Sequence, residues 1–181
     1  MAAIVNTAQK EHWNTKLNAR VVCVISNKAD VDGLAFAAGM GIATQVLAHQ
    51  QFESREAFDT ALSKLIDSYK PAVVVLAGFM RILTPGFVAH YAGKLVNIHP
   101  SLLPAFTGLN THQRALDAGC KVAGATVHLV TAELDHGTIL AQVAVPVLAG
   151  DSAQTLAARV LSQEHLVYPQ AVRALLDSMV V

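Results

Sequence analysis

The stretch LVNIHPSLLPAFTG, residues 95–108, places an amide and an imidazole two positions apart at the end of an apolar run. Asn97 and His99 occupy positions i and i+2, so in an extended strand their side chains point to the same side. Pro100 and Pro104 restrict the backbone that follows. An amide N–H donates to an oxyanion and an imidazole exchanges a proton near neutral pH, which suits acyl or formyl transfer. The spacing alone also fits ordinary structural roles for both side chains.

A carboxylate in a second segment is the natural partner for this imidazole. Asp135 lies in TAELDHGTI, residues 131–139, where a loop is expected between two strands. A carboxylate that reaches the ring of His99 would orient it and stabilise its protonated form. A solvated aspartate in an ordinary turn is the alternative that the local sequence leaves open.

Metal-dependent and nucleophilic chemistry are both weakly supported. Potential zinc ligands are numerous, but their spacing matches no familiar pattern; they are His99, His112, His128, Asp135 and His136. The two cysteines, Cys23 and Cys120, are isolated, and no G-x-S-x-G elbow is present. We therefore expect no metal and no covalent intermediate.

Strand and helix patterns alternate along most of the chain. Helices are expected over residues 2–16, 31–41, 54–70, 80–92, 111–118 and 152–179, the last as one helix or two that break near Pro169. Strands are expected over residues 20–27, 43–48, 72–78, 94–98, 125–130 and 138–147, the last two as an antiparallel pair. This alternation predicts an α/β fold with a Rossmann-like, mostly parallel sheet flanked by helices. Ligands of such sheets bind beyond the carboxyl ends of the strands, where residues 97–99 are expected.

The composition gives no sign of a nucleic-acid or membrane partner. The 181 residues carry 13 basic and 13 acidic side chains, which gives no basic footprint for nucleic acid. No apolar run is long enough for a transmembrane helix, and the first residues lack the order of a signal peptide. Isolated cysteines favour a reducing cytoplasm. The length predicts a single domain over residues 1–181.

Five stretches together resemble the folate-dependent phosphoribosylglycinamide formyltransferase family. They are SNKADVDGL, ESREAFD, VVVLAGFMRILTPGFVAHYAGKLVNIHPSLLPAFTGLNTHQRAL, GATVHLVTAELDHGTILAQ and LAARVLSQEHLVYP. The resemblance runs from about residue 20 to about residue 173. The resemblance implies formyl transfer from 10-formyltetrahydrofolate to the amine of glycinamide ribonucleotide in purine biosynthesis. It also implies that Asn97 binds the formyl oxygen, that His99 is the proton donor, and that Asp135 supports His99 and helps to remove the amine proton. These three residues are called the predicted triad below.

The same resemblance assigns the binding residues. Folate binding is implied for Arg55, Met80, Arg81, Ile82, Leu83 and Asn97. Contact with the nucleotide substrate is implied for Pro100 and Glu164. Small-molecule substrates, no membrane partner and a monomer or homodimer are expected.

The chain departs from the family pattern at its beginning. Members begin with a strand and a G-x-G-S-N loop that binds the substrate phosphate at a helix N-terminus. Here MAAIVNTAQ resembles the helix that follows that loop, so we expect that Met1 is an internal methionine and that the fold is incomplete at the N-terminus. A truncated, weakly active or inactive chain is therefore one alternative, and a formyltetrahydrofolate hydrolase is another.

Overall fold

The computed structural model describes residues 1–179; Val180 and Val181, which belong to the predicted single domain, lie outside the described residues. The helices are α1 Ala2–Lys10, α2 Trp13–Lys16, α3 Asp32–Gly39, α4 Arg55–Ser68, α5 Pro85–His90, α6 Thr111–Asp117 and α7 Ala153–Met179, with a short 3₁₀ helix at His49–Gln51. The strands are β1 Cys23–Ser26, β2 Ala43–Val46, β3 Val74–Val75, β4 Leu95–His99, β5 Val122–Leu129 and β6 Ile139–Pro146. The predicted α/β class is confirmed. None of the helices within residues 1–179 combines the length and the hydrophobicity that a membrane span requires.

The strands form two sheets instead of the one sheet that was expected. β1 pairs with β2 in parallel, and the second sheet has the order β3–β4–β5–β6. In that second sheet β3 and β4 are parallel, while β5 runs antiparallel to both β4 and β6. The expected antiparallel hairpin is thus confirmed. Within residues 1–179, no strand hydrogen-bonds to both β1 and β3, so the two sheets stay separate.

Within residues 1–179, three apolar clusters fix helices to the sheets, and the third joins α7 to β5 and β6 through Ala125, Val145, Leu156 and Val160. The first joins α1, α2 and α7 to the strands through Ile4, Trp13, Val96, Val127, Val167 and Tyr168. The second joins α4 and α5 to β4 through Phe58, Leu62, Ile66, Phe87, Val88, Tyr91 and Leu95. Because three of its apolar residues recur every four positions, α4 turns a continuous stripe towards this cluster. Its N-terminus is capped as predicted, since the Ser54 side chain accepts a hydrogen bond from the amide of Ala57 at 3.1 Å.

Several predicted boundaries differ from the structure. The first helix stops at Lys10, and α2 begins after His12, whose φ of 58° interrupts the helical path. β3 covers two residues of the predicted strand 72–78, and α5 begins only at Pro85, after the Thr84 cap. The last helix does not break at Pro169: α7 continues through it to Met179. Pro169 is fully buried between Tyr168 and Ala171, which belong to the first cluster, so packing holds both halves of α7 in line.

Candidate active site

One face of the β4–β5 pair is polar. Asn97 lies directly opposite His128, and His99 lies opposite Thr126. Directly opposed residues of antiparallel strands project to the same side, so these four side chains share a face. The alternate residues of both strands belong to the first apolar cluster or pack against it, on the side of α1 and α7; they are Val96, Ile98, Val127 and Leu129. Strand alternation therefore delivers an amide, a hydroxyl and two imidazoles to one surface.

The loop between β5 and β6 carries Asp135 towards this face. Asp135 has a φ of 58°, a left-handed conformation that aspartate tolerates better than most residues. Gly137 approaches the backbone of Leu129 so closely that a Cβ there would overlap the Leu129 carbonyl oxygen. The loop can close back on β5 only because position 137 lacks a side chain.

Asp135 and His99 meet in a buried contact. Oδ2 of Asp135 lies 3.5 Å from Nδ1 of His99, and only 6% of the Asp135 side chain is exposed. The same oxygen accepts a hydrogen bond of 2.8 Å from the amide of Gly108. That amide belongs to the loop after β4, so the carboxylate also joins this loop to the sheet. The structure therefore brings Asp135 to His99, on the face that Asn97 shares.

The ring of His99 is held through its other nitrogen. Nε2 lies 2.9 Å from the carbonyl oxygen of Phe106. A carbonyl only accepts hydrogen bonds, so we assign a proton to Nε2. Nδ1 is left facing Oδ2 of Asp135 at 3.5 Å. The ring is therefore tethered at one nitrogen and turns the other towards the carboxylate, on the face that Asn97 shares.

A network of hydrogen bonds fastens the loop after β4. Thr126 Oγ1 donates to the carbonyl of Ser101 at 2.7 Å and accepts from the amide of Leu103 at 3.0 Å. The Gln142 amide donates to the Leu103 carbonyl at 2.9 Å, and Ser101 Oγ donates to the carbonyl of Ala105 at 2.6 Å. This network fixes the segment that supplies the Phe106 carbonyl and the Gly108 amide.

His128 is the side chain that sequence reasoning did not place in the site. It is 2% exposed, its Nδ1 lies 2.9 Å from the carbonyl oxygen of Leu129, and its Nε2 lies 3.9 Å from Oδ1 of Asp135. Burial lowers the pKa of the His128 imidazole, although the Leu129 carbonyl and Asp135 oppose the shift. A signal was present in the sequence: polar residues at 126 and 128 repeat the two-residue spacing of Asn97 and His99.

The segment before α5 carries the side chains assigned to folate. Met80 and Ile82 are 81% and 67% exposed, which is unusual for large apolar residues. The guanidinium of Arg81 lies 5.0 Å from the centre of the Phe58 ring. The segment ends at Thr84, whose amide donates to the buried carboxylate of Asp59 at 2.7 Å. Residues 80–83, Leu83 included, thus form an open apolar edge that is anchored at its end.

The remaining assigned residues lie around this centre. Arg55 is the first residue of α4 and makes an exposed ion pair with Glu56 at 3.7 Å. Pro100 directly follows β4. Glu164 is half-buried on α7, and burial raises the pKa of its carboxyl group. Among residues 1–179, neither Arg55 nor Glu164 makes a hydrogen bond or an ion pair with the predicted triad.

Of the residues considered as zinc ligands, His99 and His128 both lie against Asp135, whereas His112 and His136 make no ion pair with it among residues 1–179. His136 is exposed and faces Glu133, and burial, followed by the charge of His99, lowers the pKa of His112. Within the part of the chain that the structure describes, no group of three or more His, Cys, Asp or Glu side chains is arranged to hold a metal ion.

Two proteins are similar in sequence to this chain over most of its length. The phosphoribosylglycinamide formyltransferase of Escherichia coli K12 is 56% identical over 154 residues, which are 85% of this chain and 73% of that protein. The trifunctional purine biosynthetic protein adenosine-3 of Bos taurus is 49% identical over 155 residues, which are 86% of this chain and 15% of that protein.

Solved structures agree with the sequence relatives. The crystal structure of phosphoribosylglycinamide formyltransferase from Brucella melitensis superposes with a TM-score of 0.88 at 52% identity, over 99% of this chain and 90% of that one. The glycinamide ribonucleotide transformylase 1 from Symbiobacterium toebii gives a TM-score of 0.91 at 41% identity, over 97% and 81%. The sequence model of the formyl transferase family matches residues 1–172. This chain therefore belongs to the formyl transferase family.

Proposed function

We propose that this enzyme transfers the formyl group of 10-formyltetrahydrofolate to the amine of glycinamide ribonucleotide in de novo purine biosynthesis. The observation that carries the proposal is the buried approach of Asp135 to Nδ1 of His99 at 3.5 Å, on the face that Asn97 shares. An amide, an imidazole and a carboxylate in that arrangement match the charges of acyl transfer to an amine. The names of the E. coli and Brucella relatives support the identity of the substrate.

Asn97 and His99 stabilise the negative charge that develops on the formyl oxygen. The amine attacks the formyl carbon, a C–N bond forms, and negative charge gathers on the formyl oxygen. The Asn97 amide and Nδ1–H of His99 donate to that oxygen, and one such donor is typically worth roughly 3–4 kcal/mol. Because the Phe106 carbonyl holds Nε2, the ring does not need to reorient during the reaction.

Asp135 acts as the general base. After attack the amine nitrogen is positively charged and must lose a proton before the folate leaves. The carboxylate of Asp135 accepts that proton, directly or through water. The bond from the formyl carbon to the folate nitrogen then breaks, and His99 supplies a proton to the leaving nitrogen.

The binding residues are proposed on the same basis. The apolar edge at residues 80–83 receives the folate, and Arg55 and Arg81 are suited to its anionic groups because guanidinium pairs with carboxylates in a bidentate manner. Pro100 and Glu164 are proposed to contact the ribonucleotide. The absence of a metal, the absence of nucleic-acid and membrane partners, a monomer or homodimer, and a cytoplasmic location stay predictions.

A formyl-transfer assay with both substrates tests the proposal. We expect formylation of glycinamide ribonucleotide that depends on formyl folate and proceeds in the presence of a chelator. Release of formate without the amine would identify a hydrolase instead.

A further inference from the structure

We propose that His128 is a positioning residue for the reaction. When Asp135 takes a proton from the amine, the carboxyl O–H that forms donates a hydrogen bond to Nε2 of His128. This inference rests on the proposed function and adds a fourth residue to it. The step is balanced, since an N–H bond of the amine breaks, an O–H bond forms on Oδ1 of Asp135, and this O–H donates to Nε2 of His128.

The two oxygens of Asp135 are not equivalent. Oδ2 accepts the amide of Gly108 at 2.8 Å and faces Nδ1 of His99 at 3.5 Å. Among residues 1–179, no hydrogen bond reaches Oδ1, and its closest ion-pairing partner is Nε2 of His128 at 3.9 Å. Oδ1 is therefore the oxygen that is free to take a proton.

The tautomer of His128 leaves an acceptor beside that oxygen. Nδ1 lies 2.9 Å from the Leu129 carbonyl, which can only accept, so Nδ1 carries the proton of the neutral ring. Nε2 then has a lone pair and no hydrogen. Among the buried side-chain nitrogen and oxygen atoms of residues 1–179, Nε2 of His128 is the one without a hydrogen-bond partner.

An unpaired buried acceptor is costly and needs an explanation. Here the acceptor has no donor while Asp135 is ionised, and it gains one as soon as Oδ1 is protonated. The separation of 3.9 Å must shorten by roughly 1 Å for a hydrogen bond. The pair thus stabilises the protonated carboxyl group, which is the state that Asp135 must enter to act as a base.

Two substitutions at position 128 separate this role from a structural one. His128→Asn keeps an amide N–H near Nδ1 for the Leu129 carbonyl but removes the acceptor at Nε2. His128→Gln places an amide oxygen near the position of Nε2. We expect kcat to fall about 10- to 100-fold in His128→Asn, as for partners that orient a reacting group. We expect His128→Gln to stay within about 3-fold of the wild type, and KM for both substrates to stay within about 3-fold in both variants.

A double-mutant cycle tests whether His128 acts through Asp135. In an Asp135→Asn background, His128→Asn should cause no further loss of kcat. A kcat of His128→Asn within 2-fold of the wild type, equal losses in the Asn and Gln variants, or additive losses with Asp135→Asn would each overturn the inference.

A measurement without catalysis keeps the inference separate from the proposed function. In the ¹⁵N spectrum of histidine-labelled wild-type protein, His128 should appear at neutral pH as the tautomer with a protonated Nδ1 and a bare Nε2. A proton on Nε2 would overturn the inference even in an active enzyme. An inactive wild type with the expected tautomer would instead count against the proposed function and the role that depends on it.

Discussion

At the scale of single residues, the site contains two histidines that are tethered in opposite ways. His99 is held through Nε2 by the carbonyl of Phe106, whereas His128 is held through Nδ1 by the carbonyl of Leu129. The other nitrogen of each ring faces Asp135: Nδ1 of His99 lies 3.5 Å from Oδ2, and Nε2 of His128 lies 3.9 Å from Oδ1. One carboxylate therefore lies between Nδ1 of His99 and Nε2 of His128.

Asp135→Asn should remove most of the activity without unfolding the protein. The amide cannot take the amine proton, so kcat should fall by about 100- to 10,000-fold. Steady-state rates with both substrates measure the loss. Asp30→Asn makes the same chemical change at an exposed position and should leave kcat unchanged. A fall of less than about 10-fold in Asp135→Asn would contradict the assignment of the base.

The side chains of the site could be predicted from the sequence better than its backbone groups could. Asn97 and His99 could be placed on one side of a strand because alternation in a strand is a local property. The contact with Asp135 depended on a resemblance, since no local pattern reveals which loop folds over which strand. The carbonyl of Phe106 and the amide of Gly108 could not be predicted, because every residue carries these groups and only the folded loop aims them.

At the scale of elements, the loop after β4 depends on one hydroxyl. Thr126→Val keeps the shape of the side chain but leaves the Ser101 carbonyl and the Leu103 amide without this partner. Each buried unsatisfied group costs about 1–3 kcal/mol. At about 2–4 °C per kcal/mol for a chain of this size, Tm should fall by at least about 4 °C. KM for the ribonucleotide should rise as well, because Pro100 and Phe106 lie in the released loop.

Thermal unfolding followed by circular dichroism measures the effect of Thr126→Val. The matched control is Thr60→Val, because Thr60 is exposed and its hydroxyl donates only to the Glu56 carbonyl of its own helix. Its Tm should change by less than about 2 °C. Equal shifts in the two variants would show that the loop does not depend on Thr126.

Asp151, just before α7, makes a contact that depends on pH. Two hydrogen bonds from the Arg159 guanidinium, at 2.6 and 2.9 Å, and one from the Leu148 amide hold the pKa of the Asp151 carboxyl well below its usual range. A pKa that is lower in the folded state stabilises the fold above the unfolded value of about 3.9 and stops doing so as the pH falls through the folded value.

Asp151→Asn should therefore lower Tm at pH 7, and the difference from the wild type should shrink as the pH falls below about 4. Calorimetry at pH 7, 5, 4 and 3 measures it. Asp117→Asn is a suitable control because exposed Asp117 bonds only to Gln113 of its own helix. A difference that stays constant between pH 7 and pH 3 would mean that the charge of Asp151 does not matter.

Element types were predicted well and element limits less well. The N-cap at Ser54 and the β5–β6 hairpin follow from local patterns, and both are confirmed. β3 is shorter than its apolar run because hydrogen-bond partners, and not hydrophobicity, decide where a strand ends. The sequence left open one helix or two around Pro169, and α7 is one helix because burial of the neighbouring residues against the sheet outweighs the local cost of the proline.

At the scale of the whole molecule, Tyr168 connects parts that the chain order keeps apart. Its buried hydroxyl lies 2.6 Å from the Leu76 carbonyl and 3.0 Å from the Val96 carbonyl. Burial raises the pKa of this phenol, so the proton that it shares with the two carbonyls is retained at any physiological pH. The hydroxyl thus fixes α7 to the residue after β3 and to the second residue of β4. β1 and β2 belong to a separate two-stranded sheet and receive no such contact from Tyr168.

Tyr168→Phe should loosen one part of the molecule and leave the other unchanged. We expect amide hydrogen exchange, measured by mass spectrometry under native conditions, to accelerate in β4 and in α7 around position 168, because a buried carbonyl loses its donor. Exchange in β1 and β2 should keep its wild-type rate. In the wild type, β5 should already exchange more slowly than β1, since β5 is paired on both sides and β1 on one. Equal acceleration in all strands would show that the two sheets open as one cooperative unit, and the division of the molecule inferred from its strand pairing would then not describe its dynamics.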